Sequence, residues 1–205
     1  EGMSDELPDG SYRGWADLVA ARLATRTPGF RYANLAVRGK LVGQMLAEQV
    51  PVAADMRADL VTFAGGTNDI LRPQCDMGAL RAGIEHAVET LAASARRLVL
   101  FRAIDPSGRM RGSRRLMPRI ERLLDLVDEL GARHGATVVD LFSAKVFDDP
   151  RLWSDDRLHL NADGHRRVAE ATMRTLGLPP TFDWTQPLPS APPLPWTARR
   201  RAVHG

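Results

Sequence analysis

The sequence predicts a single three-layer α/β domain, in which a parallel β-sheet is covered by helices on both faces. Short apolar runs alternate along the chain with helical patterns of ten residues or more. Strands separated by such helices pair in parallel through right-handed crossovers. Polar candidate residues follow several of the predicted strands, at the sheet edge where such folds bind ligands. The length of 205 residues is enough for one sizeable core.

The first half of the chain is predicted to contain two helices and two strands. The helices are placed at 13–27 and about 40–54, and the strands at 30–36 and 59–64. Ser11 is expected to cap the first helix, and Pro51 to interrupt the second. The compact apolar run at 59–64 is closed by Gly65 and Gly66, a pattern typical of a strand buried on both faces.

The second half continues the alternation. Helices are predicted at about 77–97, 116–134 and 162–176, and strands at 98–104 and 137–141. Gly135 is expected to end the second of these helices. The stretch 105–114, rich in arginine and glycine, is predicted to be a polar loop that follows a strand.

The composition changes after residue 178. Seven of the 14 prolines lie between Pro179 and Pro195. We therefore expect a domain over residues 1–178 and a tail rich in proline and arginine over 179–205. The tail is either mobile or packed along the body through aromatic residues, namely Phe182, Trp184 and Trp196.

The overall composition argues against several classes of protein. The formal net charge is +3, and the 28 basic residues, nearly all arginine, do not indicate the concentrated basic face of a nucleic-acid-binding protein. The arginines at 109–122 and 199–201 are interpreted as solvated surface, with an anion-binding rim as the alternative. No apolar run approaches the roughly 20 residues that would cross a bilayer. No nucleic-acid partner and no integral membrane segment are expected.

No metal site and no cofactor are expected either. Cys75 is the only cysteine, so an intrachain disulfide is excluded. His159, Asp163 and His165 are close in sequence, but a helix that starts near residue 162 would scatter them. The lack of disulfides favours a cytoplasmic location, while an export signal upstream of Glu1 stays open.

The polar segment from Trp153 to His165 carries an aspartate three residues before a histidine. On a turn that leads into a helix, Asp156 and His159 can meet side by side. In a hydrolytic triad the carboxylate fixes the imidazole tautomer, and the imidazole takes the proton from the nucleophile. Asp156 is thus the candidate orienting residue and His159 the candidate base. The alternative is that Asp155 or Asp156 caps the following helix and His159 is a polar residue at its start.

A second polar segment, residues 65–70, directly follows a predicted strand. Its glycines allow a tight turn and close approach of a ligand, and Asn68 can present its side-chain amide as a hydrogen-bond donor. Gly39, after the first predicted strand, can offer its backbone N–H in the same cleft. With the Asp-His pair, these donors make an acyl-transfer site that lacks its nucleophile. The alternative is a pair of glycine turns with local side-chain bonds to the backbone.

Together these segments resemble the SGNH or GDSL-type hydrolases, a family of small serine esterases and lipases. Residues 34–39 resemble the block with the oxyanion glycine, and residues 66–69 resemble the Gly-x-Asn-Asp block. Residues 156–164 resemble the Asp-x-x-His block with the catalytic pair. The blocks occur in the family's order across most of residues 1–176.

The resemblance implies a flavodoxin-like sheet and hydrolysis of esters or thioesters through an acyl-enzyme. By the same resemblance, Asp156 and His159 are catalytic, and the Gly39 N–H and the Asn68 amide bind the oxyanion. Asp69 is expected to support the site without contacting substrate.

The family's Gly-Asp-Ser block, which carries the nucleophile after the first strand, has no counterpart in this sequence. We expect that strand and its serine upstream of Glu1. Ser11 is interpreted as a helix cap, Ser4 lacks a strand to position it, and Cys75 is interpreted as a small packed residue. No Gly-x-Ser-x-Gly elbow occurs, which argues against the other large group of α/β hydrolases.

The predicted function of the complete protein is serine-dependent hydrolysis of short or medium acyl esters, with a small-molecule ester as the binding partner. The alternative is a non-catalytic binding module or an inactive fragment, because the chain lacks the nucleophile. The sequence does not define the oligomeric state.

Overall fold

A computed structural model of the chain describes residues 5–110 and 112–189. In this part the protein has a three-stranded parallel sheet and seven α-helices. The strands are β1 (Leu60–Phe63), β2 (Arg97–Arg102) and β3 (Thr137–Asp140). The helices are α1 (Trp15–Ala24), α2 (Val42–Glu48), α3 (Val50–Asp55), α4 (Thr67–Ile70), α5 (Met77–Ser94), α6 (Met117–His134) and α7 (Ala162–Thr175). Short 3-10 turns lie at Ser113–Arg115, Lys145–Asp148 and Pro150–Leu152.

The sheet has the order β1-β2-β3, with β2 in the centre. Along β2, Leu98 and Leu100 pack with the core on the side of α5 and α6. Val99 and Phe101, which alternate with them, pack on the opposite side with residues of α1 and α7. Such alternation is expected because successive side chains of a strand point to opposite faces. The prediction of a three-layer α/β fold is therefore confirmed.

The prediction of a strand at 30–36 is wrong. Residues 31–37 belong to no strand in the described part of the chain, and most of them are exposed. A strand needs a neighbour for its backbone hydrogen bonds, and among the described strands β1 pairs only with β2. The segment is held through a side chain instead, because the Tyr32 hydroxyl donates to Asp17 Oδ1 in α1 at 2.8 Å.

Strand β1 is also less buried than expected. Only Phe63 is buried, whereas Thr62 is exposed and Leu60 and Val61 are half-buried. The reason is that β1 lies at an edge of the described sheet. Burial on both faces is therefore a property of the central strand β2.

The expected cap at Ser11 is wrong as well. Helix α1 starts after Gly14, whose N–H donates to Asp17 Oδ2 at 2.6 Å. Ser11 lies in an earlier turn, where its N–H and hydroxyl bond Asp9 Oδ1 at 2.9 and 2.6 Å. The Asp17 carboxylate in the first helical turn thus supplies the half of a capping box that bonds the N–H of the residue before the helix.

The other predicted elements are confirmed with small shifts of their ends. The helix expected at 40–54 divides into α2 and α3 at Gln49, with Pro51 in the first turn of α3. Proline is tolerated there because its missing N–H would have no intrahelical partner. Gly135 ends α6 in a left-handed conformation with φ +62°.

The described part of the C-terminal tail packs against the body. The Trp184 ring lies 6.3 Å from the Phe147 ring, and Phe182 lies near the guanidinium group of Arg166, 5.8 Å from its Cζ. Trp196, the third aromatic residue expected to contact the body, lies outside the described residues. Within the described ranges, no helix has the length and apolarity needed to cross a lipid bilayer.

Candidate active site

Asp156 and His159 lie side by side in the loop that follows β3. Asp156 Oδ2 is 2.7 Å from His159 Nδ1. A tight turn brings them together, because the Arg157 N–H donates to Ser154 O at 2.9 Å and the Ser154 N–H donates to His159 O at 2.8 Å. Arg157 has φ +54°, a left-handed conformation that is costly for a residue with a side chain. The backbone of this turn therefore holds Asp156 and His159 next to each other.

The two oxygens of Asp156 have different partners. Oδ1 accepts the Ser154 hydroxyl at 2.6 Å and the N–H groups of Leu158 and His159 at 2.8 and 2.9 Å. Oδ2 is directed at the imidazole. Partial burial would raise the pKa of Asp156, but the bonds from the His159 N–H, the Ser154 hydroxyl and the imidazole outweigh it and hold this pKa well below its usual range. An ionised carboxylate only accepts, so Nδ1 carries the imidazole proton in this pair.

The cap of α7 is Asn161, and the alternative in which Asp155 or Asp156 caps this helix is wrong. Asn161 Oδ1 accepts the Gly164 N–H at 3.1 Å. Its Nδ2 donates to Arg151 O at 2.7 Å and so ties the helix start to the preceding loop. The carboxylate of Asp156 thus remains engaged with its own turn and with His159.

The turn rests on a buried tryptophan. Trp153 is 6% exposed, donates from Nε1 to Phe147 O at 2.8 Å and forms an isolated antiparallel bridge with Leu160. Arg109, from the loop after β2, lies over the Trp153 ring with its Cζ 3.6 Å from the centroid. Burial lowers the pKa of Arg109 to about 10, against the opposing effect of nearby Asp105. The loops after β2 and β3 therefore contact each other at Trp153, which precedes the turn that carries the Asp-His pair.

Asn68 and Gly39 lie close together in the structure. Asn68 is in α4, directly after β1, and its Nδ2 donates to Lys40 O at 3.0 Å, one residue beyond Gly39. Gly39 has φ +77°, which a residue with a side chain rarely adopts. An amide nitrogen has two protons. In the described part of the chain Asn68 Nδ2 makes the Lys40 bond alone, so one N–H is available for a ligand.

The segment after β1 is held by a hydrogen bond of Asp69 and requires a glycine at position 66. The carboxylate of Asp69 accepts the Val42 N–H with oxygen distances of 3.3 and 3.2 Å, which joins α4 to the start of α2. Desolvation raises the pKa of Asp69, against the opposing effect of that hydrogen bond. Gly66 has φ +96°, and a Cβ there would lie 3.0 Å from Ile84 and 3.1 Å from Leu123. Glycine is therefore needed for both conformation and space.

Both groups lie on segments that follow the carboxyl end of a strand. Asn68 follows the carboxyl end of β1, and His159 follows the carboxyl end of β3, with β2 between them. In a parallel sheet these ends lie together, and ligands bind there. In residues 5–110 and 112–189 no three His, Cys, Asp or Glu side chains are grouped so that they could hold a metal ion.

Several residues that hold the turn of the Asp-His pair were not predicted from the sequence. Asn161 directly precedes a helical pattern, and that signal could have identified it as the cap. Ser154 lies two residues before Asp156, but a serine in a polar loop carries no specific signal. The contact between Arg109 and Trp153 joins residues 44 positions apart, and nothing local in the sequence indicates it.

A carboxylate-imidazole pair and an amide donor are groups that acyl hydrolases use for proton transfer and for binding an oxyanion. The chain belongs to the GDSL-like lipase/acylhydrolase family, whose family model matches residues 1–167. The resemblance found in the sequence is therefore confirmed. Hydrolysis of esters is the general chemistry of this family.

Solved structures of esterases and hydrolases share the fold. LAE5, an α/β hydrolase from the metagenome of Lake Arreo, is 22% identical, with 86% of this chain and 87% of that chain covered and a TM-score of 0.69. Axe2, an acetylxylan esterase from Geobacillus stearothermophilus, is 17% identical, with 90% and 92% covered and a TM-score of 0.71. Catalytic variants of Axe2 with a substituted serine, aspartate or histidine match similarly. No curated protein sequence matches this chain.

Proposed function

We propose that the complete protein hydrolyses short or medium acyl esters, or the related thioesters, through an acyl-enzyme. The observation that carries the proposal is the 2.7 Å contact between Asp156 Oδ2 and His159 Nδ1. This contact directs the Nδ1 proton to the carboxylate, so Nε2 is the nitrogen that exchanges protons with the reacting groups. Axe2 supports the assignment, because its catalytic variants include an aspartate three residues before a histidine, the spacing of Asp156 and His159.

In the proposed mechanism His159 acts first as base and then as acid. Nε2 takes the proton of a serine hydroxyl as its oxygen attacks the ester carbonyl, and later gives the proton to the leaving alcohol. The imidazolium formed in between faces the carboxylate of Asp156, which stays ionised because its pKa is held below the usual range. His159 then takes a proton from water as the water oxygen attacks the acyl-enzyme, and returns it to the serine as the acid is released.

The negative charge of the tetrahedral intermediate requires hydrogen-bond donors. The proposed donors are the Asn68 amide and the Gly39 N–H, which lie at neighbouring positions because Asn68 bonds the carbonyl of Lys40. Preformed donors stabilise this charge better than water, since they need no reorganisation during the reaction.

The nucleophile in this proposal is a serine N-terminal to the described residues. Ser154 does not fit the role, because its hydroxyl bonds Asp156 Oδ1 at 2.6 Å and His159 O at 3.1 Å. Its hydroxyl is therefore bonded to the carboxylate that faces Nδ1, whereas the proposed proton transfer uses Nε2. Ser11 is bonded to Asp9 in an exposed turn. Axe2 is again consistent, since its catalytic serine is near its own N-terminus.

The test uses the protein made from its complete gene and a short aryl ester, p-nitrophenyl acetate. We expect His159→Ala to lower kcat by about a thousandfold or more, because the reaction loses its base. His86→Ala is the matched control, since His86 is an exposed histidine on α5, and it should leave turnover unchanged. Full turnover in His159→Ala would refute the assignment. No turnover in the wild-type protein would favour the non-catalytic binding module.

A further inference from the structure

The proposed oxyanion donor Asn68 lies on an element that is too short to be stable alone. Helix α4 has four residues, Thr67–Ile70. An isolated helix below roughly 12 residues is marginal in water, because its first turn orders several residues for a single hydrogen bond. The orientation of Asn68 therefore depends on contacts that α4 and the following turn make with the rest of the protein.

Arg119 provides a set of such contacts. Its Nη1 donates to Ile70 O at 3.2 Å and to Arg72 O at 2.8 Å, and its Nη2 donates to Pro73 O at 3.0 Å. The last carbonyls of a helix lack intrahelical partners, and a positive charge near them is favourable. A planar guanidinium can bond several carbonyls in one fixed geometry, which a lysine ammonium cannot reproduce.

Arg119 is itself held by a rigid element. It lies in the first turn of α6, an 18-residue helix, and its neighbour Ile120 is 4% exposed in the core. In the described part of the chain Arg119 has no carboxylate partner within ion-pair distance. Its guanidinium bonds the last carbonyl of α4 and two carbonyls of the turn that follows. The core thus fixes α6, and α6 fixes this turn.

Asn68 is held from the opposite direction by the Lys40 carbonyl, at 3.0 Å from its Nδ2. This bond sets the rotation of the amide, while Arg119 sets the position of the backbone that carries it. Loss of the Arg119 bonds would release the last carbonyl of α4 and two carbonyls of the following turn, and would allow the short helix to unwind. The amide would then spend less time in the geometry that binds an oxyanion.

We propose that Arg119 is a positioning residue for Asn68, which acts on the reaction by fixing α4 and the turn that follows. The inference rests on the proposed function, since it assigns a partner to the oxyanion amide. Arg119 does not contact the reacting atoms in this proposal. Its effect should appear in the chemical step and should depend on the presence of Asn68.

The kinetic test compares Arg119→Met with Arg119→Lys in the protein from the complete gene, with p-nitrophenyl acetate as substrate. Arg119→Met should lower kcat by about tenfold to a hundredfold and change KM by less than about twofold, as expected for a displaced transition-state donor. Arg119→Lys should retain an intermediate kcat. The control is Arg122→Met, because Arg122 is exposed on the same helix and makes no bond to the described residues.

A double-mutant cycle separates positioning from a general structural role. In an Asn68→Ala background, Arg119→Met should change kcat by less than about twofold, because its target is already absent. An equal loss in both backgrounds would overturn the proposal.

Amide hydrogen exchange provides a test that does not need turnover. The backbone amides of residues 67–72 should exchange faster in Arg119→Met than in wild type or Arg122→Met, because local opening becomes easier. Unchanged exchange in this segment would overturn the proposal even if the wild-type protein had no esterase activity. Absence of wild-type turnover with faster exchange would refute the proposed function and retain Arg119 as the residue that fixes α4.

Discussion

Gly164 should be among the least replaceable residues near the candidate site. It lies in the first turn of α7, and a Cβ built there would be 2.3 Å from Leu152 O and 2.7 Å from the Leu160 side chain. A carbon and a carbonyl oxygen normally approach no closer than about 3.3 Å. The Gly164→Ala substitution must therefore displace the helix or the loop by about 1 Å. The clashing oxygen belongs to the backbone, so a side-chain rotation cannot relieve it.

The expected cost of Gly164→Ala is about 1–3 kcal/mol from overpacking, reduced by up to about 1 kcal/mol of improved helix propensity. The loop between Leu152 and Leu160 carries Asp156 and His159, so a shift of about 1 Å should also lower kcat by roughly a hundredfold. Urea denaturation measures the free energy of unfolding, and hydrolysis of p-nitrophenyl acetate measures kcat.

The matched control for this substitution is Gly43→Ala in α2. A Cβ at Gly43 meets nothing within 4 Å, so alanine should stabilise the protein by about 0.5–1 kcal/mol. A Gly164→Ala variant as stable and as active as Gly43→Ala would show that a Cβ at position 164 does not displace the helix or the loop.

Substitutions at three further residues test other contacts near the candidate site. Gly66→Ala should lower the free energy of unfolding by about 1–3 kcal/mol in urea denaturation, because φ is +96° and a Cβ would lie 3.1 Å from Leu123. Asp69→Ala should destabilise more than Asp69→Asn at neutral pH, since the asparagine oxygen can still accept the Val42 N–H; equal losses in urea midpoint would contradict this role. The pKa of Asp156 is lower in the folded than in the unfolded protein, so its stabilising effect is present above about pH 4 and is lost as the pH falls through the folded pKa. Between about pH 5 and about pH 2, the free energy of unfolding should therefore fall less in Asp156→Asn than in wild type. If the urea midpoints of the two proteins fell equally over this pH range, the carboxylate bonds would contribute nothing to stability.

Much of the fold could be predicted because its signals are local. The apolar run of β2 and the periodic helices α5, α6 and α7 follow from side-chain patterns with periods of 2 and 3.6 residues. The strand expected at 30–36 did not form, because strand formation depends on a partner elsewhere in the chain. A pattern within one segment carries no information about that partner.

In the candidate site, too, local sequence patterns indicated some residues and could not indicate others. Asp156 and His159 were found from their spacing, since residues three positions apart on a turn can bring their side chains together. Residues such as Arg109 and Arg119 were missed because they act across loops that are distant in sequence. Their roles depend on which loops the sheet brings to one edge, and only the folded arrangement reveals that.

The central claim is that Asp156 and His159 activate a serine for acyl transfer. The most direct measurement is labelling of the protein from its complete gene with a fluorophosphonate, followed by mass spectrometry of the labelled peptide. We expect stoichiometric modification of one serine N-terminal to the described residues, at a rate that falls by about a hundredfold or more in His159→Ala. Labelling of Ser154 or Ser11, or an equal rate in wild type and His159→Ala, would contradict it.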